Sequence, residues 1–256
     1  MSLAGEIEEL VDAPVTPDHS APDVRHPPWA FIALAALAGS VLLVALLGAT
    51  IARGTQFAFD RAILLAMRTG DGAPAGPDGL ATAMVDLTAL GGRTVLTSIV
   101  ALTIGYLLIH RHRLTALLVF GGTLSGSVAV SVIKRLVGRE RPDLFDHLVE
   151  IGAKSFPSGH SANSAIIYLT IALMLMQIVE KRAARWYLFA AAVLLVTAIG
   201  SSRVYLGVHW PSDVLAGWAF GSLWALAWWS LGAWLRTRLP HGVQDDRIRM
   251  IRPGLR

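Results

Sequence analysis

Hydrophobic positions in this chain fall into long blocks, unlike the half-apolar patterns of a soluble domain. From Trp29 to Ala52 the sequence is uncharged and apolar throughout. As a helix that block measures about 36 Å, enough for a hydrocarbon core of about 30 Å. Further apolar stretches lie near 94–109, 114–133, 160–179, 186–201 and 212–235. The first of these reads as starting earlier, near Ala81, with Asp86 and Arg93 toward its outer end. The stretch 186–201 is short for a span on its own. Inside a bundle both can cross, because protein neighbours replace lipid. The pattern predicts an all-α polytopic membrane protein with six transmembrane helices, five being the rival count. Between the first two blocks, FDRAILLAMR has amphipathic spacing and predicts a short helix at 59–68 lying along the membrane surface. The Gly-, Pro- and Asp-bearing run 69–79 predicts a loop.

The flanks are polar. Residues 1–28 carry Glu6, Glu8, Glu9, Asp12, Asp18 and Asp23 against Arg25. They lack the opening positive charge and early apolar core of a signal peptide, and are expected to form a disordered cytoplasmic tail. Residues 29–235 are expected to form one membrane-embedded domain, and 236–256 a basic cytoplasmic tail. Positive charge gathers in the short turns HRHR (110–113) and EKRAAR (180–185), the loops that report orientation best. With six spans, both termini and these turns are cytoplasmic, and the loops 134–159 and 202–211 share the opposite face. Trp218, Trp224, Trp228, Trp229 and Trp234 add an aromatic signature of a lipid interface.

Composition narrows the chemistry. The formal charge is +4, with no single polybasic stretch, so a nucleic-acid partner is not expected. There is no cysteine, which excludes disulfides, a thiol nucleophile and thiolate metal ligation.

The two outward loops hold the candidate site. Lys134 and Arg141 lie seven positions apart, about two helical turns, although Gly138 and Pro142 argue against a continuous helix between them. Arg203 comes from the other loop. Three fixed cations in one pocket suit a tetrahedral dianion. Arg135 and Arg139 read instead as interfacial side chains reaching lipid headgroups. Pro157-Ser158-Gly159-His160 opens an apolar helix. The backbone donors of Ser158 and Gly159, with the Ser158 hydroxyl, are expected to bind an anion beside His160. His209 and Asp213 lie four apart at the start of the last helix, with Trp210 and Pro211 at its opening. A carboxylate on Nδ1 would fix the tautomer and leave Nε2 as a nucleophile. Metal chemistry competes, since His160, His209 and Asp213 are all potential ligands. A pocket with Lys134, Arg141 and Arg203 is already strongly positive, so no metal and no cofactor are expected.

Together K-x6-RP (Lys134, Arg141, Pro142), PSGH (157–160) and SR-x5-H-x3-D (Ser202, Arg203, His209, Asp213) resemble the type 2 phosphatidic acid phosphatase superfamily, over about residues 130–217. The resemblance implies a metal-independent phosphatase with an all-α bundle in a bacterial inner membrane. It implies that His209 attacks phosphorus to form a phosphohistidine, that Asp213 orients His209, and that His160 donates a proton to the leaving oxygen and then assists water. Lys134, Arg141, Arg203, Ser158 and Gly159 would hold the phosphoryl oxygens. Members act on phosphatidic acid, phosphatidylglycerol phosphate, isoprenoid diphosphates or lipid A phosphate. Outward placement points to a membrane lipid substrate such as undecaprenyl diphosphate or phosphatidylglycerol phosphate. A lipid A phosphatase or phosphotransferase is the alternative, and a transporter or structural protein with an idle pocket is the reading from another class. Soluble haloperoxidases that hold vanadate share the pocket, but six spans argue against that branch.

Overall fold

Each apolar block of the chain is helical in the structure, a computed structural model that describes residues 28–144, 148–149 and 154–238. The acidic tail over 1–27, the tail beyond Arg238, and Asp146 with His147 lie outside the described residues. Helix α1 (Trp29–Ala52) buries Ala36, Ser40, Val44, Gly48 and Ile51, a line at close to four-residue spacing, and turns Phe31, Leu34, Val41, Leu42 and Leu46 outward. That is one stripe for protein and a wide apolar face for lipid. Helix α2 (Ala58–Ala66) has the reverse character on its inner side: Asp60 and Leu64 are buried, while Phe59, Ile63 and Leu65 are exposed. It is the short amphipathic helix expected at 59–68, starting and ending slightly earlier.

Helices α3 (Leu80–Ala89) and α4 (Arg93–Ile109) replace the single segment expected from Ala81 to 109. They meet at an angle of 47°. The chain breaks at Gly91-Gly92, where Gly92 adopts extended backbone before α4 begins. Helix α5 (Arg113–Val137) stops at Gly138, whose φ of 65° is left-handed and suits a residue without Cβ. Lys134 therefore lies in the last turn of a helix, and Arg141 on the non-helical segment that follows.

Next come α6 (Gly159–Ser164), a π turn (Ala165–Leu169) and α7 (Thr170–Leu175), continuous in backbone. Helix α8 (Arg182–Tyr205) is longer than its apolar stretch at 186–201, because its charged ends remain helical. Helix α9 (Pro211–Arg238) closes the bundle and packs most extensively against α1.

Among the described residues, four helices, α1, α5, α8 and α9, are long and apolar enough to cross a membrane, and the bent pair α3–α4 counts as a fifth if it is one span. The segment Gly159–Leu175, expected as a sixth span at 160–179, has at most 17 residues and falls below that length. The structure is thus an all-α, multi-pass bundle with four or five candidate spans, where the block pattern led to six. The reason lies in burial. Ser161, Ala162, Ser164, Ala165, Ile166, Ile167, Leu169, Thr170, Ala172 and Met174 are all buried, so this block is apolar because it faces protein.

Two glycines on α9 set how closely α6 approaches. A Cβ on Gly217 would lie 3.1 Å from the Ser158 carbonyl oxygen, and one on Gly221 would lie 2.8 Å from that of Ala162. Backbone in contact with backbone has nowhere to give. Small residues four apart are a means of close helix packing within a membrane. Gly221→Val is expected to cost about 1–3 kcal/mol, the range for overpacking, and to lower the thermal unfolding midpoint in detergent. Gly105→Ala, which adds a Cβ with nothing within 4 Å, should leave it unchanged. Equal midpoints for the two variants would show that α6 and α9 are not held this closely.

Candidate active site

The turn between α8 and α9 carries His209 into the bundle. Gly207 turns it with a φ of 75°. Pro211 takes the first position of α9, and the Asp213 carboxylate reaches back to accept from the Trp210 backbone N–H at 3.1 Å. This is the reciprocal half of a capping box. Helix capping thus places a carboxylate directly beneath the histidine.

His209 is 1% exposed and Asp213 fully buried. His209 Nδ1 lies 3.4 Å from Asp213 Oδ2 and 3.2 Å from Ser155 Oγ. On the other side of the ring, Nε2 lies 3.1 Å from Arg141 Nη1. A guanidinium can only donate, so Nε2 is the acceptor and the ring proton sits on Nδ1, toward Asp213. Burial pushes the His209 pKa down to about 3, against the opposing pull of the Asp213 hydrogen bond and charge. The free site therefore holds a neutral imidazole with its Nε2 lone pair turned toward a cation.

Asp213 gathers further donors. Oδ1 accepts from Arg139 Nη1 at 2.6 Å, and Oδ2 accepts from the Ser155 hydroxyl. Arg139 also pairs with Asp60 on α2, Nη2 to Oδ2 at 2.9 Å. The sequence reading of Arg139 as a headgroup contact is therefore corrected: its guanidinium turns inward because two buried carboxylates face it. Arg135, by contrast, is exposed.

The expected cations surround the histidines. Lys134 Nζ donates to the backbone oxygens of Lys154 and Ser155 at 3.1 and 3.4 Å. Arg141 Nη1 also donates to the Val208 carbonyl at 2.5 Å. Arg203, 4% exposed, donates from Nη1 to Thr88 Oγ1 at 3.0 Å. Its Nε is buried with no hydrogen-bond partner among the described residues, a donor held ready for an acceptor. The positive charges of Arg203, Lys134 and Arg141 all act on His160, and a Cβ on Gly159 would lie 4.0 Å from Lys134 Cε. PSGH and the three cations therefore share one pocket.

Ser158 departs from the expected geometry in one respect. Its backbone N–H is already committed to the Asp213 carbonyl, at 3.1 Å. Its Oγ accepts from Ser161 Oγ at 2.9 Å and caps α6. What Ser158 retains for an anion is its hydroxyl proton. His160 stands at the start of α6 with its ring against Gly91, where a Cβ would come within 3.1 Å of Cδ2.

Ser155, Ser212, Thr88 and Asp60 complete the site without having been singled out from the sequence. Ser155 lies two residues before the PSGH motif and Ser212 within the last motif. Thr88 and Asp60 lie in segments with no motif. Among the described residues, no group of three or more His, Cys, Asp or Glu side chains is arranged to hold a metal ion. A cleft of about 540 Å³ opens beside Arg139 and Arg141, with Ile51, Ala52, Phe57 and Leu144 among its apolar lining.

The chain is similar to known proteins over the region that carries the three motifs. The model of the PAP2 superfamily matches residues 114–236, which contain all three motifs. Phosphatidylglycerophosphatase B of Bacillus subtilis is 36% identical over 146 residues, covering 55% of this chain and 69% of that protein. Decaprenylphosphoryl-5-phosphoribose phosphatase of Mycobacterium tuberculosis is 34% identical over 149 residues, covering 57% and 76%. In three dimensions the fold matches the crystal structure of a transmembrane PAP2-type phosphatidylglycerolphosphate phosphatase from Bacillus subtilis. The TM-score is 0.65 at 25% identity, over 82% of this chain and 98% of that one. The chain belongs to the PAP2 superfamily, a family of hydrolases that act on lipid phosphates.

Proposed function

We propose that this protein hydrolyses a phosphate or diphosphate ester carried on a membrane lipid, without a metal ion, through a phosphohistidine on His209. The observation that carries the reading is the tautomer of His209: its Nε2 accepts from Arg141 while Nδ1 faces Asp213. A phosphoryl oxygen that takes over the Arg141 donor frees Nε2 to attack phosphorus in line. Lys134, Arg141, Arg203, the Ser158 hydroxyl and the backbone at Gly159 hold the three phosphoryl oxygens and stabilise the charge that develops on them. Asp213 stabilises the positive charge that His209 gains. His160 protonates the leaving oxygen, then takes a proton from the water that cleaves the phosphohistidine.

The substrate class follows from the setting. A site at a bilayer surface, with a cleft beside it lined by charged side chains such as Arg61, Arg139 and Arg141 together with apolar ones such as Ile51, Phe57 and Leu144, suits a headgroup delivered on its lipid. The named activities of the relatives, on phosphatidylglycerophosphate and on a decaprenylphosphoryl sugar phosphate, support a glycerophospholipid or polyprenyl phosphate. We place phosphatidylglycerol phosphate, phosphatidic acid and undecaprenyl diphosphate first. In this reading residues 29–235 act as one membrane-embedded domain of a bacterial inner membrane. The bent pair α3–α4 and the buried segment Gly159–Leu175 each cross, which gives six crossings, cytoplasmic termini and an outward site.

Three measurements test the reading. In the cysteine-free chain, Lys154→Cys in intact spheroplasts should react with a membrane-impermeant maleimide. Labelling only after permeabilisation would invert the topology. Activity should survive exhaustive EDTA treatment, because cationic side chains supply the neutralising charge; loss that a divalent ion restores would reassign the chemistry.

The third measurement separates the histidines. His209→Ala should abolish turnover and any trapped phosphoenzyme. His160→Ala should slow turnover by roughly 10²–10⁴-fold, the usual contribution of a proton-transfer group. Its loss should be largest for a lipid alkoxide leaving group and smallest for p-nitrophenolate, which departs without a proton. A loss independent of the leaving group, or label mapped to the His160 peptide, would exchange the two roles.

A further inference from the structure

Behind the nucleophile lies a second carboxylate that no motif includes. Asp60 is 2% exposed and sits on the inner face of the surface helix α2. Its Oδ1 accepts from the Ser212 backbone N–H at 2.7 Å. Its Oδ2 accepts from Ser212 Oγ at 2.6 Å and from Arg139 Nη2 at 2.9 Å. Arg139 spends its other terminal nitrogen on Asp213 Oδ1 and Ser212 Oγ, and its guanidinium lies 5.4 Å from the centre of the Trp210 ring. One guanidinium therefore joins two buried carboxylates, and only the farther one is free of contact with His209.

The charge arithmetic gives Asp60 a purpose. When Nε2 forms its bond to phosphorus, the imidazole becomes positive and needs the negative charge of Asp213. Arg139 competes for that charge. With Asp60 present, the trio Asp60, Arg139 and Asp213 carries a net charge of about −1, so Asp213 keeps negative charge for His209. Without Asp60, Arg139 and Asp213 would neutralise each other. With both carboxylates buried and Arg139 10% exposed at the edge of the cleft, water screens the difference only in part, and it is felt at the ring.

We infer that Asp60 is a positioning residue that balances the charge of Arg139 and so preserves the electrostatic hold of Asp213 on His209 during phosphoryl transfer. The inference rests on the phosphohistidine reading above. It differs from a purely structural role, in which Asp60 would only fasten α2 to the start of α9.

The test is a charge-balance cycle on the purified full-length protein, assayed with short-chain phosphatidic acid and p-nitrophenyl phosphate. Asp60→Asn takes the trio from about −1 to about 0. It should lower kcat at least about tenfold with KM within about twofold, a coupling within the range for contacting charged residues. Arg139→Gln takes the trio to about −2, leaving two carboxylates unbridged. The double variant restores about −1, and its kcat should exceed that of Asp60→Asn several-fold. If Asp60→Asn alone does not fold, the double variant is compared with the wild type: with the trio back at about −1, its kcat should lie within a few-fold of wild type, and a loss of tenfold or more overturns the inference. A fastening role predicts that the double variant is worse than either single one, and that result overturns the inference. So does an unchanged kcat in Asp60→Asn beside an inactive His209→Ala. Full activity in His209→Ala would remove the underlying reading, and the inference with it.

Discussion

A carboxylate with no access to water must be supplied with donors from every direction, and the site is arranged around that demand at Asp213. Its two oxygens receive Arg139, the Ser155 hydroxyl and the Trp210 amide, and Oδ2 faces His209 Nδ1. Burial without these partners would cost several kcal/mol. The donors come from the segment after α5, the strip before α6 and the turn before α9. Satisfying one buried charge therefore fixes three separate pieces of chain around the nucleophile. The backbone oxygen of the same residue accepts from Ser158, which ties the PSGH strip to it as well.

The opposite wall of the pocket is cationic. Lys134, Arg141 and Arg203 donate to backbone carbonyls and a threonine hydroxyl, and none of those partners carries charge. Like charges held close raise the energy of the free site, and a bound dianion relieves it. Donors already in place need no reorganisation as charge builds on the phosphoryl oxygens. The arrangement divides the site in two. One wall is saturated with hydrogen bonds around Asp213 and His209. The other presents the donors of Lys134, Arg141 and Arg203.

The parts of this arrangement that short sequence spacings encode were legible in the sequence. Asp213 lies four residues after His209 because a capping residue reaches back one turn, and PSGH adjoins its own helix. Arg139 was not legible, since an arginine just past a span looks the same whether it turns toward lipid or inward. Its partner Asp60 is 79 residues away and Thr88 is 115 from Arg203, so only the fold pairs them. The span count was legible only in part, for a related reason. Hydropathy reports that a block avoids water, but it does not distinguish lipid from protein as the surroundings. The segment Gly159–Leu175 is apolar like α1, yet α1 shows most of its large side chains to the outside while Gly159–Leu175 is enclosed.

The enclosure of that segment is also what couples stability to chemistry. Gly217 and Gly221 follow Asp213 by one and two turns on α9, and their missing side chains let α6 lie against the same helix that carries the carboxylate. The spacing of the two histidine-bearing segments is therefore set by backbone contact, which is stiffer than contact between side chains. Phosphoryl transfer depends on in-line placement more than on acid–base chemistry. A bundle that fixes that spacing through glycine contacts makes the packing of its last helix part of the reaction geometry. Changes along α9 far from phosphorus can then alter turnover without altering any residue that touches substrate.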